Sequence, residues 1–186
     1  MSADPFHLNR PVHLARRDGF YEKATVLIDR LAALKNPAEQ RQTVEKALFF
    51  FREARRHAAA ANLAEKTSRQ SRLFTEFLDM AIDNTLSITR MLRRQRTAET
   101  PDSPLQQFLQ SRDTAEKMRS HYHRCSTHIL KGLAALLKAA EKPCHDLQQT
   151  SLAKMSSADK ARYEKARKYF EEEAEDDVGK SGDSIA

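Results

Sequence analysis

Apolar residues fall at helical spacing in several separate stretches of this chain. Phe20, Ala24, Leu27, Ile28, Leu31 and Leu34 share one face, which predicts a helix over 18–34. Lys35-Asn36-Pro37 stops it. Asn36 is then placed to cap a second helix, with Pro37 at its first position and Glu39 at its third, a capping-box arrangement. From Pro37 to Thr100 there is no Gly and no Pro; one unbroken helix of that length would span roughly 90 Å. The stripe of Val44, Leu48 and Phe51 fades at Arg55, Arg56 and His57, and only alanines follow. It returns at Leu73, Phe74, Phe77, Leu78, Met80, Ala81, Ile88, Met91 and Leu92. A single rod would leave both apolar ends without local partners, so the pattern predicts two antiparallel helices with a break in the polar stretch 62–72.

Residues 97–103 read as a linker, and Ser103-Pro104-Leu105-Gln106 as a further capping box that opens a long helix to Lys142. Along it Phe108, Ala115, Tyr122, Ile129 and Leu136 recur every seven residues. Ser111, Met118, Cys125, Gly132 and Ala139 sit three further on, an a/d seam with small d residues. This seam is expected to form bundle core, with Tyr122 and Ile129 buried and His121 and Lys131 exposed. Pro143 is expected to end the helix and 143–157 to be a connector. A last helix over 158–174 has a thin stripe of Tyr163, Ala166 and Phe170. Its bases come early and its acids late, against the helix dipole, so it reads as marginal alone. Residues 1–11, broken by Pro5 and Pro11, are expected to be flexible, and 175–186 to be a disordered acidic tail. The expected fold is all-α: an elongated, coiled-coil-like antiparallel bundle of about four helices over 12–142, with helices centred near residues 27, 50, 82 and 122, followed by the charged C-terminal helix and tail.

Composition agrees with this reading. Leu and Ala supply 45 of the 186 residues and Val and Ile only 9, with 4 Gly, a balance that favours helices over strands. Leu, Ile, Val and Phe total 37, a lean supply for a self-sufficient core. The net charge of +6 is unevenly placed: residues 171–186 hold seven acids against Lys180, which leaves +12 on the first 170. A body this basic attracts acidic surfaces. Two cysteines, Cys125 and Cys144, follow no apolar leader, which points to free thiols and a cytoplasmic setting. No run reaches the ~18 apolar residues of a membrane span.

Candidate chemistry is sparse. His128-Ile129-Leu130-Lys131-Gly132 resembles the phosphorylation site of histidine-phosphotransfer domains, which are also helical bundles. The resemblance implies a phosphorylated His128, with Lys131 steadying the phosphoryl group and Gly132 clearing space for a docking partner. His121, Cys125 and His128 lie on one helix face at i, i+4 and i+7, a spacing that could ligate zinc with Cys144 or His145 as a fourth ligand. A polar face with incidental histidines is the simpler account, so no metal or cofactor is expected. His57 is expected at the surface. No nucleophile elbow, Gly-rich loop or isolated acid pair is present, and no enzyme is expected. Arg90, Arg93, Arg94 and Arg96 cluster at a helix C-terminus and could contact a polyanion. No aromatic interleaves them, which weighs against single-stranded nucleic acid. Thr100-Pro101 and Ser103-Pro104 follow as candidate phosphosites.

The expected function is a non-enzymatic adaptor or scaffold, a subunit of a larger assembly acting through protein–protein contacts or self-association. Leu73, Phe74, Phe77, Leu78, Phe108, Tyr122 and Ile129 are its candidate contact residues, because 73–92 carries apolar residues on two faces where one core stripe would suffice. The alternatives are a basic module for acidic membrane or cytoskeletal surfaces, and phosphotransfer through His128.

Overall fold

The structure, a computed structural model, describes residues 10–62, 69–99 and 112–179. These form five helices: α1 (Arg10–Leu31), α2 (Pro37–Asn62), α3 (Arg69–Glu99), α4 (Arg112–Ala153) and α5 (Ser157–Gly179). There is no strand among the described residues, and no helix there is long and apolar enough to cross a membrane.

Local chemistry accounts for most of the boundaries. Asn36 Oδ1 accepts the Ala38 N–H at 2.9 Å and Asn36 Nδ2 donates to Glu39 at 3.3 Å, capping α2 as expected. The expected break between 62 and 72 falls between the end of α2 and the start of α3. Ser156 caps α5, its hydroxyl accepting the Asp159 N–H and donating to the Asp159 carboxylate.

Four boundaries differ from expectation. α1 starts at Arg10 rather than near Asp18, because Pro11 sits in the first turn, where its missing N–H is harmless, and Leu14 and Ala15 are buried. α3 stays helical through 97–99. α4 does not stop at Pro143 but continues to Ala153. The proline removes one hydrogen bond, while Cys144, Leu147 and Leu152 beyond it all pack inward. α5 reaches Gly179, so 175–179 is helical rather than disordered. Residues 1–9, 100–111 and 180–186, with Thr100, Ser103 and Phe108, lie outside the described residues.

Partner residues fix the helix directions. Arg55 pairs with Asp79 and Glu45 with Arg93, so α2 and α3 run antiparallel. His13 meets His57 and Phe20 stacks on Phe50, so α1 and α2 do too. The main core draws Ile28, Phe51, Leu78, Ile88 and Leu133 from α1, α2, α3 and α4. α5 runs parallel to α1, with Tyr163 on Asp18 and Arg167 on Glu22. Its Phe170 ring lies so close that a Cβ on Gly19 would meet Phe170 Cγ at 2.8 Å, which is why α1 carries a glycine there. The thin stripe expected on this helix is the one it uses: Tyr163 and Phe170 are buried and Ala166 packs against the second apolar cluster.

One charged pair ties these helices together. Asp18 Oδ1 accepts from Arg17 Nε at 2.7 Å and lies 2.7 Å from Arg17 Nη2; both residues are buried. Asp18 Oδ2 accepts the Tyr163 hydroxyl of α5 at 2.8 Å, and Gln148 of α4 donates to that phenol oxygen at 2.9 Å. The Arg17 guanidinium sits 4.9 Å above the Phe74 ring of α3. Asp18→Ala should therefore cost about 3–5 kcal/mol by leaving Arg17 buried and unpaired, and Tyr163→Phe about 1 kcal/mol. Urea unfolding of the two variants checks this; equal losses would mean that Arg17 does not depend on Asp18.

Candidate functional site

The inward face of α4 is not the seam read from the sequence. Ser126, Leu133, Ala140 and Leu147 recur every seven residues and are buried, with Leu130, Leu137 and Cys144 between them. The core seam is displaced by one residue, about 100° around the helix. The displacement puts Leu133 inward in place of Gly132 and carries the seam on to Leu147, and each buried Leu contributes about 1.5–3 kcal/mol. Tyr122 and Ile129 are half-buried, while His121 and Lys131 are exposed as expected. Gly132 and Ala139 are exposed, and a Cβ on Gly132 would meet nothing within 4 Å.

The same division holds on α3. Phe74 and Leu78, expected as partner contacts, are core residues instead, at 4% and 0% exposure. Phe74 lies edge-on to Tyr21 and under Arg17. The second apolar face stays outside: Leu73 is 43% and Met80 50% exposed, with Phe77 half-buried between them. Leu73 and Phe77 share a groove of about 200 Å³ with Pro143 and Asp146 of α4. At the far end of the pair, Ile88 and Leu92 lie beside His123, Ser126 and Leu130. In this antiparallel register Leu73 and Phe77 lie at the Pro143 end of α4, while Ile129 and Gly132 lie toward the Ile88–Leu92 end, and Ile129 and Leu136 pack against the main core. The Leu73–Phe77–Met80 row leaves an apolar edge on the outside of α3.

The expected charged and metal-binding sets divide. Arg90 and Arg94 are exposed, and Arg93 is held by Glu45 at 3.0 Å. Arg96 is on α3 with its side chain outside the described residues. Cys125 Sγ lies 3.7 Å from His121 Nε2. Cys144 instead packs in the core and His145 lines a cleft against α1, so neither joins His121, Cys125 and His128. Among the described residues no group of three or more His, Cys, Asp or Glu is arranged to hold a metal ion. His128 is exposed on α4, one turn before Gly132.

The cleft between α1 and α4 has a volume of about 570 Å³ and is lined by Asp18, Tyr21, Glu141 and Cys144 among others. Burial raises the Tyr21 phenol well above its ordinary value, with the adjacent Cys144 adding to the shift. Burial likewise pushes the Cys144 thiol up to about 11. Both are protonated at neutral pH, so neither supplies a nucleophile or a base there.

His57 is not at the surface but 3% exposed. The alanines around it let α1 approach: His13 Nδ1 lies 2.9 Å from His57 Nδ1, and Phe20 stacks on the ring at 5.7 Å. One imidazole donates and the other accepts, which requires that the accepting ring be neutral, so the pair cannot be doubly protonated. Periodicity carried no signal for this pair or for Arg17–Asp18, since each joins polar residues that a helical pattern assigns to solvent. Phe50 gave a faint signal in the run Phe49-Phe50-Phe51; its ring meets Phe20, which in turn meets Phe170 edge-on.

The chain matches no protein-family model, no curated protein and no solved structure.

The histidine pair predicts a pH response. Burial, then His13, Arg16 and Arg56, lower the His57 pKa from 6.5 to about 4, and His13 is lowered too. The unfolded chain therefore binds protons that the folded chain refuses. The stability contribution is complete above pH 6.5 and is lost as pH falls through about 4. Unfolding free energy should drop by about 2–3 kcal/mol from His57 across that window. His57→Gln should flatten the drop; an unchanged pH profile in that variant would refute the assignment.

Proposed function

We propose that this protein is a non-enzymatic helical adaptor or scaffold, a subunit of a larger assembly that works through protein–protein contacts. The observation that carries the reading is the outer α3–α4 edge, where Leu73, Phe77 and Met80 form an apolar row that the core does not use. On this reading α1 to α4 act as an elongated, coiled-coil-like antiparallel bundle, and α5 buttresses α1. The half-buried Tyr122 and Ile129 border the contact surface, with Ile129 also packed against the main core. Phe74 and Leu78 hold the helix that presents it.

The test compares surface and core substitutions on the same helix. Leu73→Glu with Met80→Glu should leave the melting temperature within a few degrees, because both side chains already face water. The same variant should lose the partners that the tagged wild-type chain retains from native extract. Leu78→Asp should unfold the chain by burying an unpaired charge. Full retention of every partner by the Leu73/Met80 variant would refute the reading.

A second reading rests on one observation: His128 and Lys131 are exposed, and Gly132 presents open backbone one turn on. This fits the phosphotransfer resemblance. Acetyl phosphate would pass its phosphoryl group to a ring nitrogen and release acetate. An acid-labile label present in the wild-type chain and absent in His128→Gln would favour this reading; an unlabelled wild-type chain would exclude it.

A further inference from the structure

The outward face of α4 carries a charge pattern that the adaptor reading does not use. We propose that this face, a single-file row of Lys117, Arg124, Lys131, Lys138 and Lys142, docks the protein on an anionic lipid surface. The inference goes beyond the adaptor reading and rests on a different helix face.

The row follows from the core seam. Arg124, Lys131 and Lys138 each stand two residues before a buried seam position, Ser126, Leu133 and Ala140, so they lie about 200° around α4 from the core. Lys117 continues the same seven-residue spacing, and Lys142 follows Lys138 one turn on. All five are exposed. Between Lys117 and Lys142 the only acid is Glu141, against these five cations and the half-buried Arg119. Glu141 lines the cleft toward α1 together with Asp29. Other acids close the row at its ends: Glu116 before Lys117, and Asp146 a turn beyond Lys142. The acids from Glu171 to Asp177 sit on α5, which packs along α1. The arginines at the end of α3 make no such row, since Arg93 is held by Glu45.

Shape and charge select a lipid surface. From Lys117 to Lys142 the row runs about 37 Å along one helix. The exposed residues between the cations are short: Ser120, Gly132, Ala135 and Ala139. They build no walls to clasp a strand or a small ligand, and they leave the long basic side chains standing clear of the helix. A plane of anionic headgroups meets such a row along its whole length, and about four to eight basic residues on one helix are attracted to it. A duplex would take only the part of the row that enters a groove about 12 Å wide. Single strands call for platforms of Phe, Tyr or Trp that this row lacks. The apolar side chains exposed in the row are alanines, so the contact is electrostatic and stays at the headgroups.

Vesicle sedimentation tests the proposal on the full chain at physiological ionic strength. Vesicles of phosphatidylcholine mixed with phosphatidylserine should bind the protein, vesicles of phosphatidylcholine alone should not, and binding should fall steeply as salt rises. Arg124→Gln, Lys131→Gln and Lys138→Gln together should weaken binding about a hundredfold, at about fivefold for each basic residue. The melting temperature should hold, because all three side chains face water. A variant of equal net charge, Arg72→Gln with Arg90→Gln and Arg94→Gln on the outward face of α3, should bind within about threefold of wild type. No binding to phosphatidylserine vesicles, equal binding to both vesicle types, or equal weakening in the two triple variants overturns the proposal. Duplex DNA or a poly-glutamate peptide that binds more tightly than the vesicles at the same salt overturns the lipid surface as the partner of this row. The adaptor reading is decided separately, by Leu73→Glu with Met80→Glu on α3.

Discussion

The buried Arg17–Asp18 pair is the constraint around which the helices are arranged. A carboxylate and a guanidinium taken out of water cost several kcal/mol each unless their hydrogen-bonding capacity is filled. The pair cannot fill it alone, since both guanidinium contacts fall on Asp18 Oδ1. The second carboxylate oxygen takes the Tyr163 hydroxyl from α5, that phenol oxygen takes Gln148 from α4, and the guanidinium spreads over Phe74 from α3. α3 and α5 each supply one group to two adjacent residues of α1, and α4 supplies one to the α5 phenol. An apolar interface could slide by a turn at modest cost. A satisfied charged centre has one arrangement, and so sets the register of α3, α4 and α5 against α1.

That centre also explains why α4 passes through Pro143. Had the helix stopped there, Leu147 would be lost from the core and Gln148 from Tyr163. The lost hydrogen bond and the ring's clash cost about 3 kcal/mol, which the burial of Leu147 and the completed network offset. The proline leaves its trace outside, where its ring lines the groove with Leu73 and Phe77.

Helix existence was legible in the sequence wherever an apolar stripe and a cap coincided, as at Asn36. The inward face of each helix was less so. On α4 two apolar sets lie one residue apart, and a heptad count cannot say which faces in; Leu133 and Leu147 decide for the seam of 126, 133, 140 and 147. On α3 both faces were visible, but only packing against Tyr21 and Arg17 reveals that Phe74 is the inner one. The least legible features were polar. Arg17, Asp18, His13 and His57 sit in a stretch whose pattern assigns them to water, and they are buried because partners distant in sequence complete them. A pattern read along one helix has no access to those partners. The outer edge was legible in substance, since the surplus of apolar residues between 73 and 92 was evident, while the residues that form it, Leu73, Phe77 and Met80, needed the fold.

Two helical glycines, Gly19 and Gly132, separate inside from outside. Both forgo helix stability that alanine would restore. At Gly19 the return is internal, because Phe170 occupies the space of a Cβ and seals α5 onto α1. At Gly132 no internal group occupies that space. The half-buried Ile129 and Leu136 beside it pack against the main core. A protein with few large apolar residues has nonetheless kept Leu73 and Met80 exposed on α3. The carboxylate of Asp18 is taken up by the network. The polar interior holds the helices in register, and the register leaves the Leu73–Phe77–Met80 row of α3 at the surface, beside Pro143 of α4.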